Sequence, residues 1–139
     1  MNSRYVGTDW VEGMGTAKCT DCTRCSPTYT ATFSNAPAGW EFINGVSLTL
    51  TQPYGPGTCF WSGDAVISGG SGVPDCEYAF IIECDNTGKW NAYYTISRMD
   101  GNGQILGQSL FPGSPCPMGT FDFADVAPSY STPLTVTVA

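Results

Sequence analysis

The chain has 139 residues, enough for one domain with a real core but short enough for cross-links to weigh heavily in its stability. Charged residues make up 12% of it, against about 25% in an average soluble protein, and twelve acids against five bases leave a net charge of −7. The bases Arg4, Lys18, Arg24, Lys89 and Arg98 are scattered, which excludes a nucleic-acid partner on charge, and no run approaches the roughly 18 apolar residues of a membrane span.

Residues 1–18 read as an N-terminal arm ahead of a single domain over 19–139. Tyr5, Val6, Trp10, Val11 and Met14 fall in no regular core pattern. Apolar side chains on such an arm need cover, from the parent domain or from a neighbouring subunit, so they are candidate subunit contacts. The segment lacks the apolar run of about 7 to 15 residues that marks a secretory signal. The expectation is that numbering starts after processing or that the chain leaves its cell by another route, such as a phage particle freed by lysis.

The stretch CTDCTRC follows, with Cys19, Cys22 and Cys25 at intervals of three in a chain without histidine. A structural zinc site would need a fourth thiolate from far away. A redox dithiol belongs at a helix start in a βαβ setting, of which the chain has no sign. Disulfides are the expectation: two of the three form a bond, locally or to the body of the domain, and the third stays free or bridges subunits. Seven cysteines leave one over if all pairing is internal.

Period-two alternation then recurs along the chain, the mark of strands with one buried face. In TYTATF, Tyr29, Ala31 and Phe33 share a side opposed by threonines. In VSLTLT, Val46, Leu48 and Leu50 do the same. A weaker strand is expected at TCFWSG (58–63). CEYAFIIEC sets Cys76, Tyr78, Phe80, Ile82 and Cys84 on one face, and WNAYYTIS sets Trp90, Ala92, Tyr94 and Ile96 on one face, with DNTG as the hairpin turn between them. Weaker strands at QILGQSL (104–110) and GTFDF (119–123) precede the last run, 133–138, in which Leu134, Val136 and Val138 alternate with threonines. The linking segments NAPAG, NG, QPYGPG, SGGSGVP and DGNG are turn chemistry.

Short strands at this spacing, with no helical period, predict an all-β fold: an antiparallel two-sheet sandwich, jelly-roll-like and disulfide-braced, with an open barrel as the rival. Cys76 and Cys84 point inward about 26 Å apart along one extended strand, too far to bond to each other. Cys59 and Cys116 are the available partners. Cys59–Cys76 with Cys84–Cys116 is the preferred arrangement, and the swapped pairing remains open. Disulfides imply an oxidising, extracellular setting.

Catalytic chemistry has little to work with. Without histidine the usual general base and the Ser–His and Cys–His nucleophiles are missing. Asp75 with Glu77, or Asp122 with Asp125, are formal carboxylate pairs, but they read as turn and polar-face residues. DGNGQ at 100–104 partly matches a calcium loop yet lacks its later acidic ligands, so it reads as a hairpin turn. No catalytic residue, metal or cofactor is expected. Outward rows of threonine and serine are good β-surface, with O-glycosylation as the functional alternative. Tyr93 among them is a candidate sugar contact.

The cysteine cluster leading into TYTATFSN, together with CFWSG, CPMGTFDF and LTVTVA, resembles a group of small cysteine-rich β proteins from tailed-phage structural modules and environmental bacteria. The resemblance covers residues 19–139, and this chain departs from it in lacking doubled cysteines near each end. It implies a virion or surface-appendage component. The resulting expectation is a non-catalytic structural subunit of a fibre, filament, phage decoration or tail component. Copies of itself are the expected partners, joined by the N-terminal arm or by donation of the strand bearing Leu134, Val136 and Val138. A carbohydrate-binding, lectin-like module with glycan partners is the alternative.

Overall fold

The structure, a computed structural model, describes residues 22–84, 89–111, 116–124 and 131–139. Eight strands form: β1 (Thr28–Ser34), β2 (Ser47–Thr51), β3 (Phe60–Ile67), β4 (Cys76–Cys84), β5 (Trp90–Arg98), β6 (Gln104–Phe111), β7 (Gly119–Phe123) and β8 (Leu134–Val138). One short 3-10 turn, Glu41–Ile43, interrupts the β1–β2 connection. The alternation read from sequence is the burial pattern observed. Tyr29, Ala31 and Phe33 are buried in β1 while Thr28 and Thr30 are exposed, and the even positions of β4, from Cys76 to Ile82, face the core.

All the strands belong to one antiparallel sheet in the order β6-β5-β4-β3-β2-β1-β8-β7. The expected two-sheet jelly roll therefore gives way to a single sheet, nearly closed on itself. Periodicity tells which side chains point inward; it does not tell which strand lies beside which. From β2 to β6 each strand pairs with its predecessor, β7 pairs with β8 rather than with β6, and β8 closes back onto β1 from Ala31↔Val138 to Ser34↔Thr135. No pairing here needs a Greek-key crossover.

The ladder is shortest where β2 meets β3. Those strands share a single register pair, Thr51↔Ser62, whereas β3 follows β4 from Phe60↔Glu83 to Ile67↔Cys76. Gly63 sits at this junction, where a Cβ would overlap the Thr49 carbonyl oxygen and press on Leu50. On either side lie two four-stranded halves, β7-β8-β1-β2 and β3-β4-β5-β6, whose inner faces meet ring to ring. Phe80 of β4 stands within 6.5 Å of Phe33 and 6.4 Å of both Phe121 and Phe123, measured between ring centroids. Tyr29 meets Trp61 at 5.6 Å, and Tyr94 meets Phe123 edge-on at 4.8 Å. Such tilted pairs add about 0.5–1.5 kcal/mol each beyond the area they bury. An eight-stranded enclosure is just wide enough for side chains to fill it, and Trp61, Trp90, Phe33, Phe80, Ile82 and Val136 are fully buried here.

The second junction, between β6 and β7, is bridged by the segment that precedes β8. Thr132 N–H donates to the Leu106 carbonyl at 2.8 Å, and Gln108 N–H donates to Ser131 Oγ at 3.1 Å. From inside, the Tyr94 hydroxyl donates to the Thr132 carbonyl at 2.6 Å. A backbone that would otherwise end in bare edges is thus satisfied.

Two predictions follow from these junctions. Gly63→Ala is expected to lower stability by about 1–3 kcal/mol, read as a shifted denaturation midpoint, with an unchanged midpoint as the contrary result. Burial pushes the Tyr78 and Tyr94 hydroxyls up to about 12, above the ordinary value of 10.0. Their folded-state values are raised, so the stability they contribute is whole below pH 10 and is lost as pH climbs toward 12. A pH series of urea melts should show that decline, and Tyr94→Phe should make it shallower while costing about 1–2 kcal/mol at neutral pH, because Thr132 loses its donor.

Candidate functional site

The segment at 22–27 folds as a clasp across one end of the sheet. Cys25 N–H donates to the Cys22 carbonyl at 3.0 Å, turning the chain so that the two thiols diverge. Cys22 bonds to Cys59 in the β2–β3 connection, and Cys25 bonds to Cys116 in the β6–β7 connection. Cys22 N–H also donates to the Gly57 carbonyl at 3.0 Å, and the buried Trp61 indole donates to the Ser26 carbonyl at 3.1 Å. Cys84 is disulfide-bonded as well, and Cys19 lies outside the described residues.

The pairing preferred from sequence is corrected on both counts: Cys59 is joined to Cys22, and Cys116 to Cys25. The reason is register. In the β3–β4 hairpin Cys59 comes to rest beside Cys84, whose N–H donates to the Cys59 carbonyl at 3.1 Å, while Cys76 lies at the opposite end of β4. Cys76 is therefore a free thiol rather than a disulfide partner. It is almost fully buried beneath Pro74, and burial pushes its pKa up, with Arg98 offsetting only part of the effect. Such a thiol is chemically quiet. Cys22 and Cys25, consumed in disulfides, are not metal ligands, and among the described residues no cluster of three or more potential ligands forms.

The carboxylates are spent locally. Asp75 accepts from Gly69 N–H, and Asp122, outward between buried Phe121 and Phe123, accepts from the Thr135 hydroxyl at 3.0 Å. Asp125 lies outside the described residues. Asp100 is held below its usual range by Arg98, which grips it at 3.0 Å, and by Asn102 N–H. The DGNG segment is accordingly a hairpin turn, with Gly101 at φ 80°.

The two halves present unlike outer faces. On β7-β8-β1-β2 the outward positions are hydroxyls apart from Asp122: Thr32 meets Ser47 at 3.2 Å, and Thr120 meets Thr137 at 3.5 Å. On β3-β4-β5-β6 the outward positions include the exposed Val66, Ile81, Leu106 and Leu110. Tyr93 lies among them, half-buried, paired with Ile81 on one side and Gln108 on the other. Tyr54, 74% exposed, leans on Phe60 at 5.1 Å beside the same half. The sequence signal for this patch is large apolar residues at polar-parity positions, Ile81 in β4 and Leu106 and Leu110 in β6.

Leu134, Val136 and Val138 are buried in the core, on a strand flanked by β1 and β7 of the same chain. Tyr5, Val6, Trp10, Val11 and Met14 lie outside the described residues. Among the described residues no helix is long and apolar enough to cross a membrane. The disulfides imply an oxidising, extracellular-type setting. No protein-family model, curated protein or solved structure matches the chain.

Peptide mapping without reduction should recover Cys22–Cys59 and Cys25–Cys116, with Cys76 unlabelled by thiol reagents until the protein unfolds. Labelling of Cys76 in the native state would contradict its burial. Replacing both Cys25 and Cys116 by Ala is expected to cost about 3–5 kcal/mol, because their bond closes a long loop.

Proposed function

We propose that this chain is a non-catalytic structural subunit of an extracellular or virion assembly, a fibre, filament, phage decoration or tail component built by repeating one rigid block. The observation that carries this reading is the pairing of a side-chain-filled, disulfide-clasped interior with one apolar outer half. A filled interior is suited to bearing load, and the clasp ties three parts of the chain at one end. The apolar half is the adhesive surface such a block needs. Within one chain β8 pairs with β1 and β7, and the exposed sheet face supports a self-contact that needs no strand donation.

A second reading, a carbohydrate-binding module, is favoured by one observation: exposed Tyr54 against Phe60, with Tyr93 on the same half, offers aromatic surface to a sugar ring. Negative-stain microscopy of the oxidised protein at high concentration, run beside a glycan array, separates the two. Regular oligomers or fibres without glycan binding are the expected result. Uniform single particles with glycan binding that is lost in Tyr93→Ala or Tyr54→Ala would replace the structural reading with the second.

A further inference from the structure

We infer that the outer face of β4-β5-β6 docks against the same face of a second copy of this chain, about a two-fold axis running along β5. The inference rests on the structural-subunit reading and names the surface through which the subunit meets itself.

Charge distribution selects the occupant. Two molecules of net charge −7 repel unless their acids stay apart. The outward positions of β5 (Tyr93, Thr95 and Ser97, with Asn91 buried at the start of the strand) and of β6 (Gln104, Leu106, Gln108, Leu110) carry no charge. The strand acids of this half, Asp64, Glu77 and Glu83, lie on β3 and β4, on one flank, while Asp75 and the Arg98-paired Asp100 lie in the connections at one end of the face. A two-fold axis along β5 lays β4 of each copy over β6 of the other. The β4 carboxylates of one copy, Glu77 and Glu83, then lie over Gln104 and Leu110 of the other rather than over each other. Glu77 falls opposite Gln104, because Glu77, Ser97 and Gln104 share one row of the register. Tyr93 lies on the axis and meets its own counterpart, with Ile81 and Leu106 beside it.

A basic partner would need those acids at the centre of the contact, and they are at its margin. The hydroxyl half offers no equivalent, since Thr30, Thr32 and Thr137 leave it without apolar anchors. A C2 contact uses one patch twice, which this flank-and-centre arrangement permits. Sheets stacked this way sit about 10 Å apart and cross near −30°.

Size sets the strength. Three strands about 4.8 Å apart and about 27 Å long cover roughly 400 Å² per copy, well under the ~800 Å² per partner of a standard stable interface. The isolated dimer is therefore weak, and the contact gains strength where copies are already held side by side in an array.

Sedimentation equilibrium of the oxidised full chain, stepped up to about 1 mM, tests the inference with Leu106→Glu, Leu110→Glu and the hydroxyl-face control Thr30→Glu. Circular dichroism and disulfide mapping confirm that each variant folds. Wild type and Thr30→Glu should dimerise alike, while either leucine variant weakens association at least about tenfold, because a new carboxylate on β6 comes to lie over the acid-bearing β4 of the other copy, with position 110 in the row of Glu83. Association equal in all four proteins overturns this face and leaves the structural-subunit reading standing. Loss in Thr30→Glu alone moves the contact to the hydroxyl half and likewise overturns it. Wild type monomeric at every concentration, and unassembled by microscopy, overturns both.

Discussion

A sheet that curls back on itself encloses a space only its own side chains can fill, and here that space closes around Phe80. Its ring lies between Phe33 on β1 and Phe121 and Phe123 on β7, so one residue of the β3–β6 half meets two different strands of the other half. The backbone contributes less to closure than these rings do. One junction has a single register pair, at Thr51 and Ser62, and the other is spanned by Ser131 and Thr132 through a few hydrogen bonds. The packing of aromatic faces across the interior is what keeps the two halves apposed, and both junctions depend on it.

The ends of the enclosure are secured by different means. At one end the clasp joins two inter-strand connections covalently and seats the Ser26 carbonyl on the Trp61 indole. At the other, the β1–β2 connection lies across the opening without a covalent tie: Ile43 is fully buried, and Trp40 rests over Gly103 and the Arg98 stem. Cys76 sits at this second end, which is why it has no partner. Local opening is cheapest where contacts are fewest, so the uncrosslinked end and the β6–β7 junction, where the two strands do not pair, are where the fold first loosens.

Much of this was legible in the residues. Alternation in β1, β2, β4, β5 and β8 assigned inward and outward faces correctly, because side-chain period is a local property of extended backbone. β3 was harder, and its strand runs from Phe60 to Ile67 rather than 58–63, since Gly63 and Ala65 put small residues where large apolar ones would mark the face. Neighbour relations were not legible, and the disulfides depend on them. In a meander, alternate connections share an end, which gathers Cys22, Cys25, Cys59, Cys84 and Cys116 together and strands Cys76. The apolar patch was visible as Ile81, Leu106 and Leu110 at polar-parity positions, but only cross-strand register shows that they adjoin Tyr93.

Outer and inner faces thus divide the labour. The inner rings fill the enclosure and the clasp ties one end of it, while the outer surface is hydroxyl-rich on one half and carries exposed apolar residues on the other. The account stands or falls on the ring cluster that closes the sheet. Nuclear Overhauser contacts of the Phe80 ring test it most directly. Cross-peaks from Phe80 to Phe33 and to both Phe121 and Phe123 in one monomeric sample are predicted, and contacts confined to Phe80's own half would contradict the closure from which the rest is argued.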